Sequence, residues 1–175
     1  MNKLTQLQKD AINEAIKLDE LNIEHKNALM DILNDHRNKE MHPKLFVDGA
    51  ADLHSKTAGI GGVVYIDDNE VASFSEPLYD KTNNESEYLS LIKGIKVIHE
   101  LKFDNVCIYS DSELVVKQVT GEYKIKNDRM KKLNEQVKLN LTGLTTWSIE
   151  HVRREKNTRA DELSKIGMEK ARGSK

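Results

Sequence analysis

Four carboxylates in this chain occupy positions where a carboxylate calls for a reason: Asp48, Glu87, Asp111 and Asp161. Asp48 closes the short β-like run KLFVDGA, and Gly49 behind it leaves room for another backbone or a ligand to approach. Asp111 follows the apolar run NVCIYS in the same way, and ligands commonly bind at the strand ends of parallel or mixed α/β sheets. Each also has an ordinary structural reading, because Asp is frequent at strand ends and helix N-caps. Glu87 resists such a reading. Positions 87, 91, 95 and 98 share one helix face, and the last three are Leu, Ile and Ile. A carboxylate on that apolar stripe is costly to bury without a partner, and a metal ion or a cationic side chain removes the cost. Asp161 has a competing structural role, since Thr158-Arg159-Ala160-Asp161 has capping-box spacing with Thr158 at the N-cap. The helix dipole favours a carboxylate in that first turn whatever its function.

The elements that must position these groups are legible from periodicity. Leu4, Leu7, Ala11, Ala15 and Leu18 recur at spacings of three and four. Ala28, Leu29, Ile32 and Leu33 suggest a second helix that ends before the polar stretch NDHRNKEMHP, with Pro43 closing the segment. Residues 1–42 therefore read as a helical extension, a helix pair, ahead of a domain at 43–175. From Lys44 the period changes. KLFVDGA, GIGGVVYI and Val71–Tyr79 follow one another as an antiparallel meander, with Asp67-Asp68-Asn69 as turn chemistry. Tyr88 to Leu101 marks a long helix, with Thr82 and Glu85 spaced as its capping box. NVCIYS is a buried-type strand, Leu114–Val119 a short helix ended by Gly121, and Met130–Leu141 a further helix. TTWSIEHV is a final strand and residues 158–170 a last helix. The order βββ-α-β-α-α-β-α implies a mixed sheet covered by helices.

The bulk properties narrow the class. The chain has 175 residues, 38% hydrophobic and 32% charged, enough for one domain with an appendage. No apolar run is long enough to span a membrane, and MNKLTQLQKD does not resemble a secretory signal. The single Cys107 cannot form an internal disulfide, so a reducing, cytoplasmic setting is expected. Charge is unevenly placed. Residues 44–116 hold 6 Lys/Arg against 13 Asp/Glu, and residues 117–175 hold 15 against 8. A polyanion could bind the basic part while cations settle among the carboxylates.

FVDGA around Asp48, TNNESEY around Glu87, YSDSELVVKQVTGEY around Asp111 and HVRREKNTRADELS around Asp161 together resemble the type 1 ribonuclease H family, in the family's order and over roughly residues 44–166. The resemblance implies an α/β, ribonuclease H-like fold: a five-stranded mixed sheet, three antiparallel strands then parallel ones, flanked by helices and here preceded by the helical extension. It implies hydrolysis of the RNA strand of RNA–DNA hybrids to 5′-phosphate and 3′-hydroxyl ends. The four carboxylates would gather around two Mg²⁺ ions, with Mn²⁺ as a substitute. Asp48 would bridge both ions, Asp161 would hold the ion that activates water, and Glu87 with Asp111 the ion at the leaving oxygen. By the same resemblance, Gly49, Asn83 and Asn84 would contact the minor groove, where the 2′-hydroxyl distinguishes RNA from DNA. Thr82 would grip a DNA-strand phosphate, and Asn157 would be a further substrate-binding residue. His151, ten residues before Asp161, would help proton transfer or product release. Arg154 and Glu155 match the RE pair of the subgroup most like this chain.

Two departures qualify the match. The long basic loop that some members use to grip the hybrid is short here, GEYKIKNDRMKK. Lys124, Lys126, Arg129, Lys131 and Lys132 remain as a reduced cationic surface for substrate. Residues 1–42 match nothing in the family. They hold no Trp, Tyr or Phe and are net acidic, so contact with the catalytic domain, a second copy or a partner protein suits them better than hybrid binding. A non-catalytic nucleic-acid-binding or adaptor protein on the same fold is the alternative function. A proofreading-type exonuclease would want Asp-x-Glu where Asp48-Gly49-Ala50 stands, and an integrase-like enzyme a final Glu.

Overall fold

The structure is a computed structural model that describes residues 4–40 and 42–173, and within the second helix the side chains as far as Leu33. Residues 1–3 and 41 of the expected extension lie outside the described residues. The chain divides into two compact units, Met1–Met41 and His42–Lys175.

In the first unit, α1 spans Gln6–Ile16 and α2 spans Ile23–Glu40. Thr5 opens α1 with a capping box: its hydroxyl accepts from Gln8 N, and the Gln8 side chain accepts from Thr5 N. Helix α2 runs through the polar stretch where the periodicity predicted its end. The apolar pattern stops there, but no Gly or Pro interrupts the helix before Pro43, and loss of amphipathicity alone does not break a helix. Helix α1 buries none of its residues, and Leu7 and Ile23 remain largely exposed.

The second unit is built on five strands: β1 (Lys44–Asp52), β2 (Thr57–Ile66), β3 (Asn69–Tyr79), β4 (Asn105–Ser110) and β5 (Thr146–His151). Their order across the sheet is β3-β2-β1-β4-β5. The pairs β1–β2 and β2–β3 are antiparallel, and β1–β4 and β4–β5 are parallel. Helices α3 (Asn83–Glu100), α4 (Glu113–Thr120), α5 (Asp128–Leu141) and α6 (Thr158–Gly173) complete it, with one 3₁₀ turn at Arg154–Lys156.

One face of the sheet holds the main core, where Leu45 and Val47 of β1, Leu91, Ile95 and Ile98 of α3, and Ile108 of β4 are all fully or almost fully buried. A buried polar junction pins the helices there: Tyr88 Oη donates to Gln118 Oε1 at 2.9 Å and accepts from Asn134 Nδ2 at 3.3 Å, tying α3 to α4 and α5. The other face is covered in part by α6. Gly61 permits that contact, because a Cβ at this position would stand 2.2 Å from the main-chain nitrogen of Ser164. Gly59 is kept small in the same way by the α6 backbone at Ser164, Gly167 and Met168, whereas at Gly62, on the opposite face, a Cβ would meet the Phe74 ring.

Candidate active site

The sheet opens a fork where the carboxylates lie. Parallel pairing of β1 with β4 ends at Val47–Ser110, while β1 continues alongside β2 as far as Asp52–Thr57. Asp48 therefore does not end its strand, as the sequence suggested. It is the fifth residue of nine, and the strand that ends is β4. Asp111 follows immediately, so the two side chains stand at the mouth of a crevice outside the carboxyl end of β4.

Helix α3 delivers Glu87. Thr82 caps its start, accepting from Glu85 N while the Glu85 carboxylate accepts from Thr82 N at 2.9 Å. Residue 87 then faces the sheet one turn ahead of Leu91, both buried. Gly49 sets the depth of this contact, since a Cβ there would lie 2.3 Å from Glu87 N and from the Ser86 carbonyl carbon. The close approach that Gly49 allows is thus made by the α3 backbone.

Asp48, Glu87 and Asp111 each offer an oxygen such that all three lie within 4.8 Å of one another. Asp48 and Glu87 are nearly inaccessible to solvent. Burial pushes the Glu87 carboxyl up to about 9, with the neighbouring Asp48 and Asp111 charges adding to it. Asp48 is pushed up to about 6, chiefly by burial, against a lowering contribution from the Ser164 hydroxyl. Glu87 Oε2 is buried with no hydrogen-bond partner. Three crowded carboxylates, two of them disfavoured as ions, and an orphaned buried oxygen form a set that a cation would satisfy. The all-oxygen donor set fits a hard divalent cation.

Asp161 lines the same cavity, about 340 Å³, together with Asp48, Glu87 and Asp111. Unlike the other three it is already matched by cations. Arg154 Nη2 donates to Oδ1 at 2.6 Å, and Lys165 Nζ, one turn further along α6, bonds Oδ2. Burial alone would raise this carboxyl, but the bonds from Lys165 and Arg154 outweigh it and hold it below its ordinary value. The expected capping box is not formed by Thr158, because α6 begins at Thr158 itself. The N-cap position falls on Asn157, whose carbonyl accepts from Asp161 N at 3.0 Å.

Asn157 has a larger task. Almost fully buried, it donates from Nδ2 to Val47 O at 2.9 Å and to Asp111 Oδ1 at 3.0 Å. One amide thereby bridges the two strands at the fork and orients one carboxylate. Ser164, buried on α6, does the same for Asp48 by donating to its Oδ2, with the Asp161 carbonyl 2.9 Å away as a second acceptor. Ser164 and Lys165 escaped the sequence reading. The signal was their spacing of three and four from Asp161, which puts all three on adjoining positions of one helix.

The remaining expected residues are spread around this centre. Asn83 lines the carboxylate cavity and Asn84 is exposed beside it on the first turn of α3. Thr82 is also exposed. Lys124 and Lys126 are exposed between α4 and α5. His151 is the exposed last residue of β5 and borders a neighbouring cavity instead of the carboxylate one.

The fork, the order of the sheet and the carboxylate crevice define a ribonuclease H-like α/β domain. Residues 46–167 match the family described as reverse transcriptase-like. The ribonuclease HI of Halobacterium salinarum is 32% identical over 127 residues, 72% of this chain and 64% of that relative. Its crystal structure aligns with a TM-score of 0.69 over 75% of this chain and 98% of its own. The N-terminal ribonuclease H domain of Rv2228c from Mycobacterium tuberculosis, solved as a fusion with maltose-binding protein, is 30% identical with a TM-score of 0.73, covering 77% and 99%. LC11-RNase H1, solved in complex with an RNA/DNA hybrid, is 30% identical with a TM-score of 0.69, covering 74% and 98%. The chain belongs to the ribonuclease HI family. It spans 64% of the length of the curated Halobacterium relative and 35% of the bifunctional protein Rv2228c.

Proposed function

We propose that this chain is an endoribonuclease that hydrolyses the RNA strand of RNA–DNA hybrids, leaving 5′-phosphate and 3′-hydroxyl ends. The observation that carries the reading is the trio Asp48, Glu87 and Asp111 with its unpartnered buried oxygen. These three with Asp161 would hold two Mg²⁺ ions, or Mn²⁺ in their place. Bound there, the ions would supply Lewis-acid polarisation of the scissile phosphate and lower the pKa of an attacking water.

The chain's own residues do the rest. Asn157 and Ser164 hold Asp111 and Asp48 in place, so that little reorganisation is required when substrate arrives. Arg154 keeps a positive charge against Asp161 at the mouth of the crevice, where a phosphate oxygen would lie. The Gly49 main chain with Asn83 and Asn84 would read the minor groove, and Thr82 a DNA-strand phosphate. Lys124 and Lys126 would add sequence-independent attraction. His151, exposed at the end of β5, would exchange protons at the rim.

Residues 43–175 would carry this activity, with 1–42 as a separate helical extension. The exposed Leu7 and Ile23 and the absence of buried residues in α1 support a contact with a second copy or a partner protein. Among the described residues no helix is long and apolar enough to cross a membrane, and the free thiol of Cys107 suits the cytoplasm.

The test is cleavage of a strand-labelled RNA–DNA hybrid with Mg²⁺, beside duplex DNA, duplex RNA and single strands. Selective cutting of the RNA strand, abolished by chelator, is the expected result. Folded protein that cuts nothing with Mg²⁺ or Mn²⁺ would instead place the chain among non-catalytic binders on this fold.

A further inference from the structure

A second cavity, about 530 Å³, opens on the sheet face that carries α6, and the proposed chemistry makes no use of its floor or most of its rim. Its floor is aromatic. Phe46 and Tyr109 are paired across β1 and β4, and their rings stack with centroids 4.7 Å apart and planes 22° from parallel. Tyr65, outside this lining, meets Phe46 edge-on at 5.9 Å. All three rings are only half-buried. The rim is cationic, formed by Lys44, Arg153 and Lys156, with Glu150 as the one carboxylate of the lining. Lys44 is engaged by Asp68 at 3.0 Å, whereas Arg153 and Lys156 form no ion pair among the described residues.

The location adds a second, independent constraint. Phe46 stands two residues before Asp48 on β1, so the two side chains share a face about 7 Å apart. That step is comparable to the spacing of nucleotides in an extended single strand. The segment from Arg153 to Asn157 forms the partition, because Arg154 lines the carboxylate cavity while Arg153 and Lys156 line this one. A polyanion lying across the carboxylates would therefore reach the aromatic floor by advancing one or two residues.

The geometry points to a binding site for single-stranded nucleic acid, with a base against the Phe46–Tyr109 floor and the adjoining phosphates on Arg153 and Lys156. Rings flanked by unpaired cations bind single strands without sequence preference, and the volume lies within the ordinary range of ligand sites, about 300–1,000 Å³. An acidic peptide would use the same cations but would leave the stacked rings unexplained. The assignment rests on the reading of the chain as a hybrid nuclease, and extends it to the unpaired strand that runs off the end of a hybrid.

The experiment compares blunt hybrids with hybrids of equal duplex length carrying a single-stranded RNA extension of about six nucleotides, a length within the usual site sizes. Binding is measured by fluorescence anisotropy on the full chain carrying Asp48→Asn, with and without Arg153→Glu and Lys156→Glu together. The extension is expected to tighten binding about tenfold, and the charge reversal to remove that gain while leaving blunt-hybrid affinity within about twofold. A 5-iodouridine in the extension should photocross-link to Phe46 or Tyr109. Both substituted side chains are exposed, so a thermal melt matching the parent confirms an intact fold. No gain from the extension, a gain that survives the charge reversal, or cross-links elsewhere would overturn the assignment. So would a labelled acidic peptide that binds the parent, fails on the reversed variant, and is not displaced by the single strand. If the unsubstituted chain still cuts blunt hybrids in those cases, only the cavity assignment falls. Protein that neither binds nor cuts any hybrid removes the nuclease reading as well.

Discussion

Replacing Glu87 with Gln should make the metal-free protein more stable at neutral pH while abolishing cleavage. The buried Glu87 carboxyl is pushed up to about 9 from an ordinary 4.5. A raised carboxyl contributes its stability fully below the unfolded value and loses it as pH rises through the folded one, so the window runs from 4.5 to about 9. At pH 7.5 the folded chain retains a proton that the unfolded chain has released, about three pH units at ~1.4 kcal/mol each, or ~4 kcal/mol. Gln carries no such linkage, but its amide N–H groups must find partners in the crevice, at a cost of ~1–3 kcal/mol. The net expectation is a gain of about 1–3 kcal/mol at pH 7.5, or roughly 3–9 °C in Tm for a chain of this size. Thermal unfolding in chelator at pH 4.5 and pH 7.5 measures it directly. The advantage of Glu87→Gln should be large at pH 7.5 and shrink towards zero or below at pH 4.5. Added Mg²⁺ should stabilise the parent at pH 7.5 more than the variant, because ligand binding to the folded state alone raises stability. A variant no more stable than the parent at pH 7.5, or a parent whose stability does not improve on acidification from 7.5 towards 4.5, would refute the view of Glu87 as a buried carboxyl that keeps its proton until a cation replaces it.

Other consequences follow from the same geometry. Asp48→Asn is expected to abolish hybrid cleavage while binding survives; substantial residual turnover in that variant would remove Asp48 from the metal site. Asn157→Ala leaves the Val47 carbonyl and one Asp111 oxygen without their shared donor, which should cost ~1–3 kcal/mol in urea unfolding and lower kcat with little change in KM. Gly49→Ala forces a Cβ to within 2.3 Å of the α3 backbone. It should destabilise by ~1–3 kcal/mol or more and displace Glu87, read as reduced stability together with a weaker stabilising effect of added metal. Lys124→Ala with Lys126→Ala should weaken hybrid binding uniformly across sequences. The log–log dependence of affinity on salt should become shallower by about 0.9 for each phosphate that is no longer neutralised.

Much of this architecture was legible in the residues because its causes are local. Alternation and turn residues mark the three-stranded meander, and the stripe Leu91, Ile95 and Ile98 marks α3. The pair Thr82 and Glu85 announces its start, and Gly121, at φ +86°, ends α4 where a left-handed residue is needed. Glu87 stood out because its position on an apolar stripe is anomalous in one dimension as well as in three. What stayed hidden depends on partners far along the chain. The length of β1 is set by its pairing with β2, so Asp48 lies within the strand although its own run of residues looks finished. Helix α6 starts directly after Asn157, whose amide is committed to Val47 and Asp111 across separations of 110 and 46 residues. No capping motif at Thr158 could reveal that.

Residue types and spacing alone thus determined which carboxylates carry a cost that folding must offset, and which helices and strands could bring them together. Only the tertiary structure decided their inequality. Among the described residues Asp48, Glu87 and Asp111 converge without forming an ion pair, while Asp161 is held directly by Arg154 and Lys165. The physical reason is that an electrostatic environment is a sum over neighbours in space. Those neighbours come here from β1, α3, the 3₁₀ turn and α6, elements whose approach is set by backbone contacts such as Gly49 against Glu87.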